Sequence, residues 1–185
     1  MIRFGIELET INLWPVEVLP HFKAAEIPCV EDKKAGALKT WSVCTDGTFS
    51  LREPNCEVVS PITPNMEEVR RVIDILKAAG CSTDGRCGLH IHISDTESPI
   101  RIKLPPIKVK TPRIATARKL KNSNTGENYN GIKQCAQNHL EVRVFNGELD
   151  FAYVEEAFEL VKKSLYHPKP KELPTAFNEW EVITI

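Results

Sequence analysis

Three segments of this chain alternate charged or imidazole side chains with aliphatic ones, residue by residue. They are Phe4-Gly5-Ile6-Glu7-Leu8-Glu9, Leu89-His90-Ile91-His92-Ile93 and Leu140-Glu141-Val142-Arg143-Val144. A helix would spread such residues around its cylinder, whereas a strand sends successive side chains to opposite faces. Each segment is therefore expected to be a strand with two unlike faces. Glu7 and Glu9 share one face, as do His90 with His92 and Glu141 with Arg143. The aliphatic residues between them take the other. A fourth segment, Cys56-Glu57-Val58-Val59-Ser60-Pro61, adds Glu57. Strands this amphipathic belong in a mainly antiparallel sheet with one packed face and one open face.

The rest of the chain supplies cover for the packed face. Val69, Val72, Ile73 and Leu76 recur at helical spacing and predict a helix over about 65–79, with Asn65 and Glu68 as a capping box and Gly80 as its end. Val154, Ala157, Phe158, Val161 and Leu165 predict a second over about 151–165. Asp150 can cap it, Lys162 and Lys163 suit its C-terminal dipole, and Pro168 bars its continuation. Strands are expected at 2–9, 39–45, 56–60, 88–94, 129–135 and 139–146, with a turn at Asp46-Gly47-Thr48 and a short strand over 181–185. Segments 10–38 and 95–127 read as irregular. The expectation is an α+β fold: a mainly antiparallel sheet of about six strands with two helices on its apolar face. A chain of 185 residues, 42% of them hydrophobic, fits one domain over 1–185. That domain carries a basic, proline-rich loop at 95–121 and an irregular tail at 167–185.

A net charge of -1 gives no global field to recruit nucleic acid or a membrane surface. No apolar run is long enough to span a bilayer. A strand starting almost at Met1 leaves no room for a signal peptide. Six cysteines, at 29, 44, 56, 81, 87 and 135, form no Cys-x-x-Cys. Reduced thiols and a cytoplasmic location are expected. The glycine-rich phosphate loops are absent, and so is Gly-x-Ser-x-Gly.

Taken singly, the polar pairs are weak signals. Glu-x-Glu is commonly a solvated face, His-x-His fits metal or hydrogen-bonded histidines, and Glu-x-Arg fits a cross-strand ion pair. On one shared sheet they converge with Asp46 and Glu57 into an acidic floor. Several carboxylates so close repel one another unless cations intervene. Oxygen ligands select Mg²⁺, and imidazole shifts the preference toward Mn²⁺. Zinc on Cys87, His90 and His92 is the alternative, with no apparent fourth ligand. Arg143 beside such metals suits charge on a transferring phosphoryl group. A Cys87 nucleophile is disfavoured, because three residues along a strand put it opposite His90. Segment 95–121 holds Arg101, Lys103, Lys108, Lys110, Arg113, Arg118, Lys119 and Lys121 against Asp95 and Glu97. It reads either as a solvated surface loop or as a basic cover recruiting phosphate.

Five motifs in order carry a resemblance. Phe4-Gly5-Ile6-Glu7-Leu8-Glu9, Trp41 leading to Asp46-Gly47-Thr48, Glu57-Val58-Val59-Ser60-Pro61, Cys87-Gly88-Leu89-His90-Ile91-His92 and Leu140-Glu141-Val142-Arg143-Val144-Phe145-Asn146-Gly147 together resemble the putative amidoligase family. These are carboxylate–amine ligases related to glutamate–cysteine ligase and glutamine synthetase, and the likeness covers most of residues 2–165. It implies a funnel of antiparallel strands with ATP and Mg²⁺ (or Mn²⁺) at its floor. It also implies activation of a carboxylate as an acyl phosphate, which an amine attacks. Carried onto this chain, Glu7, Glu9, Glu57, His92 and Glu141 would be metal ligands, with His90 a further candidate. Asp46 would support metal or substrate, and Arg143 would hold the γ-phosphate, with Glu141 beside it at the reacting centre. Family members commonly have a longer, largely helical stretch before the Glu-x-Arg strand, where only 46 residues separate Ser94 from Glu141 here. Within it Arg113, Arg118, Lys119 and Lys121 compete to hold nucleotide. Three forms fit: a compact ligase for small-molecule or peptide carboxylates and amines, one completed by a second subunit in a homo-oligomer, and a domain that binds without catalysing, as adaptor or inhibitor. A metal-dependent phosphohydrolase would use the same floor without an amine.

Overall fold

The computed structural model describes residues 1–31, 39–50, 52–104, 132–136 and 138–167. Among them the order is β1 (Ile2–Ile11), α1 (Pro15–Ala24), β2 (Cys29–Val30), β3 (Trp41–Cys44), β4 (Asn55–Val59), α2 (Met66–Ala79), β5 (Gly88–Asp95), β6 (Arg101–Ile102), β7 (Ile132–Ala136), β8 (His139–Asn146), α3 (Phe151–Lys163) and β9 (Leu165–Tyr166). The main sheet runs β2-β3-β4-β1-β5-β8-β7. The six strands from β3 to β7 are antiparallel to their neighbours, and two-residue β2 joins β3 in parallel at one edge. The α+β class and the antiparallel sheet match expectation.

Register makes the two faces real. Glu7 stands opposite His90, Gly5 opposite His92, His92 opposite Glu141, and Glu9 opposite Glu57. Because side chains alternate with period two, Ile6, Leu8, Ile91, Ile93, Leu140 and Val142 fall on the other face. All six are buried there. One irregularity interrupts the β5–β8 ladder: Leu89 pairs with Phe145 and Ile91 with Val142. Arg143 and Val144 thus share the space opposite His90, and a bulge of this kind re-aims a side chain beside a site.

The helices cover the apolar face. The α2 stripe Val69, Val72, Ile73 and Leu76 is wholly buried. Each such side chain contributes about 1.5–3 kcal/mol by leaving water. Phe158 of α3 meets Phe4 edge-on, with ring centroids 5.1 Å apart. Asn65 caps α2 by accepting from the Glu67 N–H, and Asp150 caps α3 by accepting from Ala152. The partner in α2 is Glu67, one residue earlier than the box with Glu68 requires. Gly80 closes α2 at φ +101°, the left-handed region that glycine enters without a Cβ penalty. Gly147 is needed for space: a Cβ there would lie 2.9 Å from Cys87 Cβ and 3.0 Å from the Gly88 backbone.

Two expectations are corrected. Segment 10–38 is not irregular throughout, because it contains the third helix, α1, and β2. Pro15 and Pro20 disguise that helix. Pro15 sits at its first position, where no N–H is needed. Pro20 removes one interior bond, to Val16, at an exposed position. Glu17 completes the start by accepting from the Trp14 N–H, 2.7 Å away, and Phe22 packs on Trp41. The second correction concerns the loop at 95–121. Its described part, 95–104, is tied down: β6 pairs with β9, and Ile100, Ile102 and Leu104 enter the core. Residues 105–121, the strand expected at 181–185 and the tail from 168 lie outside the described residues.

Candidate functional site

Strands β1, β5 and β8 are neighbours, so their polar faces meet. His90 lies at the centre and is wholly buried. Its Nδ1 is 2.5 Å from Glu7 Oε1 and 3.5 Å from Glu141 Oε1, while its Nε2 is 3.3 Å from Glu9 Oε1. Glu7 uses its other oxygen, Oε2, toward His92 Nε2 at 3.1 Å. Arg143 Nε lies 2.7 Å from Glu141 Oε1. The six residues expected on one face are therefore together in space.

The floor is deeper than the open face expected. Glu9 and Glu141 are buried beside His90. Access remains along one border, where the His92 and Arg143 side chains are 27% and 21% exposed.

One atom each from Glu7, His90 and Glu141 lie within 4.8 Å of one another, a grouping able to hold a metal ion. Two carboxylates at that separation repel by about 3–4 kcal/mol at an effective dielectric near 20. Burial would push the Glu7 carboxyl up, yet hydrogen bonds from His90 and His92 outweigh it and hold that carboxyl far below its ordinary value. These bonds thus favour the ionised form of Glu7 near neutrality. The converging group contains His90, where the family resemblance favours His92. Glu9 faces the far nitrogen of His90, the position from which a carboxylate orients a ligating imidazole. Glu57 joins the floor through Glu9, opposite it in register.

Other expected residues are placed elsewhere. Both Asp46 oxygens accept from Thr48, one from its N–H and one from its hydroxyl, as the expected turn requires. Asp46 is not in the converging group. Arg113, Arg118, Lys119 and Lys121 lie outside the described residues. The six cysteines form no disulfides. Burial pushes the Cys29 thiol up to about 12 and raises Cys56 and Cys81 as well, the reverse of an activated nucleophile.

Two residues at the floor were missed in the sequence. His139 Nε2 sits 3.2 Å from His92 Nδ1. Cys135 Sγ lies 3.6 Å from Glu141 Oε2. His139 was within reach of the pattern, being two residues before Glu141 on the same strand face. Nothing in the sequence announces Cys135, which depends on how β7 pairs with β8.

Among the described residues no helix is long and apolar enough to cross a membrane. A family model described as "Putative amidoligase enzyme" matches residues 1–102, more than half of the chain. The match spans β1 to β6 and so includes Glu7, Glu9, Glu57, His90 and His92. Glu141 and Arg143 join the same site through the pairing of β8 with β5. Neither curated proteins nor solved structures gave a match.

Proposed function

Because this chain belongs to the putative amidoligase enzyme family, we propose that it is a carboxylate–amine ligase that uses ATP and Mg²⁺ or Mn²⁺ and joins its substrates as an amide. The observation that carries this reading is the convergence of Glu7, His90 and Glu141 with Arg143 at the border of the group. Membership supports a ligase in general; the nucleotide and the acyl-phosphate route are what the family resemblance implies, and the metal rests on the donor set of the floor. The reading extends to a funnel-like sheet of the glutamine-synthetase and glutamate–cysteine-ligase kind.

The donor set fits a divalent cation. Two carboxylates and one imidazole suit Mg²⁺ or Mn²⁺, and the depressed Glu7 carboxyl keeps one of them ionised. When bound, the ion would neutralise charge on the nucleotide phosphates. Glu7, His90 and Glu141 would hold it, and Glu9 would keep the His90 ring turned toward it. Arg143, beside Glu141 and partly exposed, would set its guanidinium against a γ-phosphoryl group.

The reaction balances in two steps. A substrate carboxylate oxygen attacks the γ-phosphorus as its bond to the ADP oxygen breaks. The amine nitrogen then attacks the acyl carbon, phosphate departs with the bonding pair, and the nitrogen gives up a proton. An acyl phosphate formed against so buried a floor would be partly shielded from hydrolysis.

The experiment is ATP turnover with and without mixed carboxylates and amines, followed by mass spectrometry for a new amide. Turnover that requires both substrates and forms an amide supports the ligase. Turnover without amine or amide identifies a phosphohydrolase. ATP that neither binds nor turns over on folded, metal-loaded protein overturns the enzymatic reading.

A further inference from the structure

The two histidines of β5 are alike in sequence and unlike in space. His90 turns one nitrogen to Glu9 and the other to the point where Glu7 and Glu141 converge. His92 has both nitrogens engaged by protein: Nε2 by Glu7 Oε2 at 3.1 Å, and Nδ1 by His139 Nε2 at 3.2 Å. Two imidazole nitrogens at that distance form a hydrogen bond only when one proton lies between them, since two N–H groups or two lone pairs would repel. Whichever ring carries that proton, the contact fixes the rotation of His92 and aims its Nε2 at Glu7. His139 is half-buried, and the rings stand 5.5 Å apart at 46°, so the contact is edge-to-edge rather than a stack.

We propose that His139 is a positioning residue of this site: it locks His92, and His92 clamps the second oxygen of Glu7 instead of ligating metal. This assigns the two imidazoles different tasks. His90 faces the ion, and His92 with His139 holds the Glu7 carboxylate in the orientation the ion needs. The inference rests on the ligase reading only in naming the ion; the three-residue chain itself exists without it. Partners that orient a ligand in this way typically account for about 10–100-fold in metal affinity.

Two measurements test it. The first uses metal-free protein and long-range proton–nitrogen NMR of the histidine rings. His139→Phe is expected to shift both His92 ring nitrogens, and His139→Gln, whose side-chain N–H falls near the place of Nε2, is expected to keep them near wild type. His92 resonances unmoved by His139→Phe would overturn the proposal. The second is Mn²⁺ binding, read by titration and by nitrogen couplings in pulsed electron spin resonance. His139→Phe should weaken Mn²⁺ by about 10–100-fold, with recovery in His139→Gln. A single imidazole coupling should survive His92→Gln and vanish in His90→Gln. Loss of the coupling in His92→Gln, or wild-type affinity in His139→Phe, would contradict the assignment. If wild-type protein binds no Mn²⁺, the ligase reading fails, and the metal-free NMR still decides the role of His139.

Discussion

The two faces of β1, β5 and β8 are built from alternate residues of the same strands, and their centres are equally buried. Ile6, Leu8, Ile91, Ile93 and Val142 lie on one side, and Glu9, His90 and Glu141 lie on the other, hidden to a similar degree. The difference is in the kind of contact. The aliphatic face is held by non-directional burial, and another side chain of similar volume would serve. The polar face is held by contacts between specific atoms: Glu7 with two imidazoles, His90 with three carboxylates, Glu141 with His90 and Arg143. Burying charge is costly unless it is paired, and a paired buried set seldom stabilises more than aliphatic residues would. One face is therefore a stability element, and the proposed cation site gives the other a reason to be kept.

The sharpest way to break that division is to truncate each face and see which property falls. On the apolar face, Ile91→Ala should lower unfolding free energy by about 2–5 kcal/mol, through lost burial and a residual cavity. Denaturant melts with an unchanged slope would show it. A loss below about 1 kcal/mol would mean that the helices do not pack there as described.

On the polar face, Arg143→Ala should slow amide formation by about 10²–10³-fold, as removal of one charge-stabilising donor does. Its melting temperature should fall as well, because buried Glu141 loses a cationic partner, but the protein should remain folded at the assay temperature. A large stability loss with little change in rate would turn Arg143 into a structural ion pair and blur the two faces.

A smaller effect is expected from pH, and it also belongs to the polar face. Burial and the neighbouring His92 lower the His139 ring below its ordinary 6.5, against the opposing pull of Glu141. Its protonated form thus prefers the unfolded chain, and stability should begin to fall as pH drops through about 6.5. Glu7 adds a second decline below its ordinary 4.5, because His90 and His92 favour its ionised form in the folded state. Carboxylate repulsion alone would make Glu7→Gln stabilising without metal; these two bonds reverse the sign. Urea melts across pH 4–8 should show a plateau above 6.5 and a two-stage decline, the upper stage absent in His139→Phe.

The sequence pattern carried the strands, both long amphipathic helices and the six residues that share the floor, because period-two and helical spacing are local properties. What it missed needs information from two segments at once. Which imidazole meets which carboxylate depends on register, so His90 and His92 looked interchangeable. The bulge that sets Arg143 and Val144 opposite His90 has no local signature in Val142-Arg143-Val144. His139 obeys the alternation yet stands just outside the Glu-x-Arg pair that drew attention. Helix α1 was hidden by Pro15 and Pro20, whose meaning depends on where a helix begins. The nucleotide-holding role offered to Arg113, Arg118 and Lys119 falls outside the described residues.

The central claim is that the buried polar face exists to hold a cation. Thermal melting of the metal-free protein with added Mn²⁺ tests it most directly, alongside calorimetric titration. An ion bound only by the folded state at one hundred times its dissociation constant adds about 2.7 kcal/mol. Wild-type protein should melt at a higher temperature with millimolar Mn²⁺ and release or absorb heat on titration. Glu141→Gln should show much less of both, and Ile91→Val should respond as wild type. Flat melting and flat titration in folded wild-type protein would contradict the account and leave the floor as a buried ion-pair network.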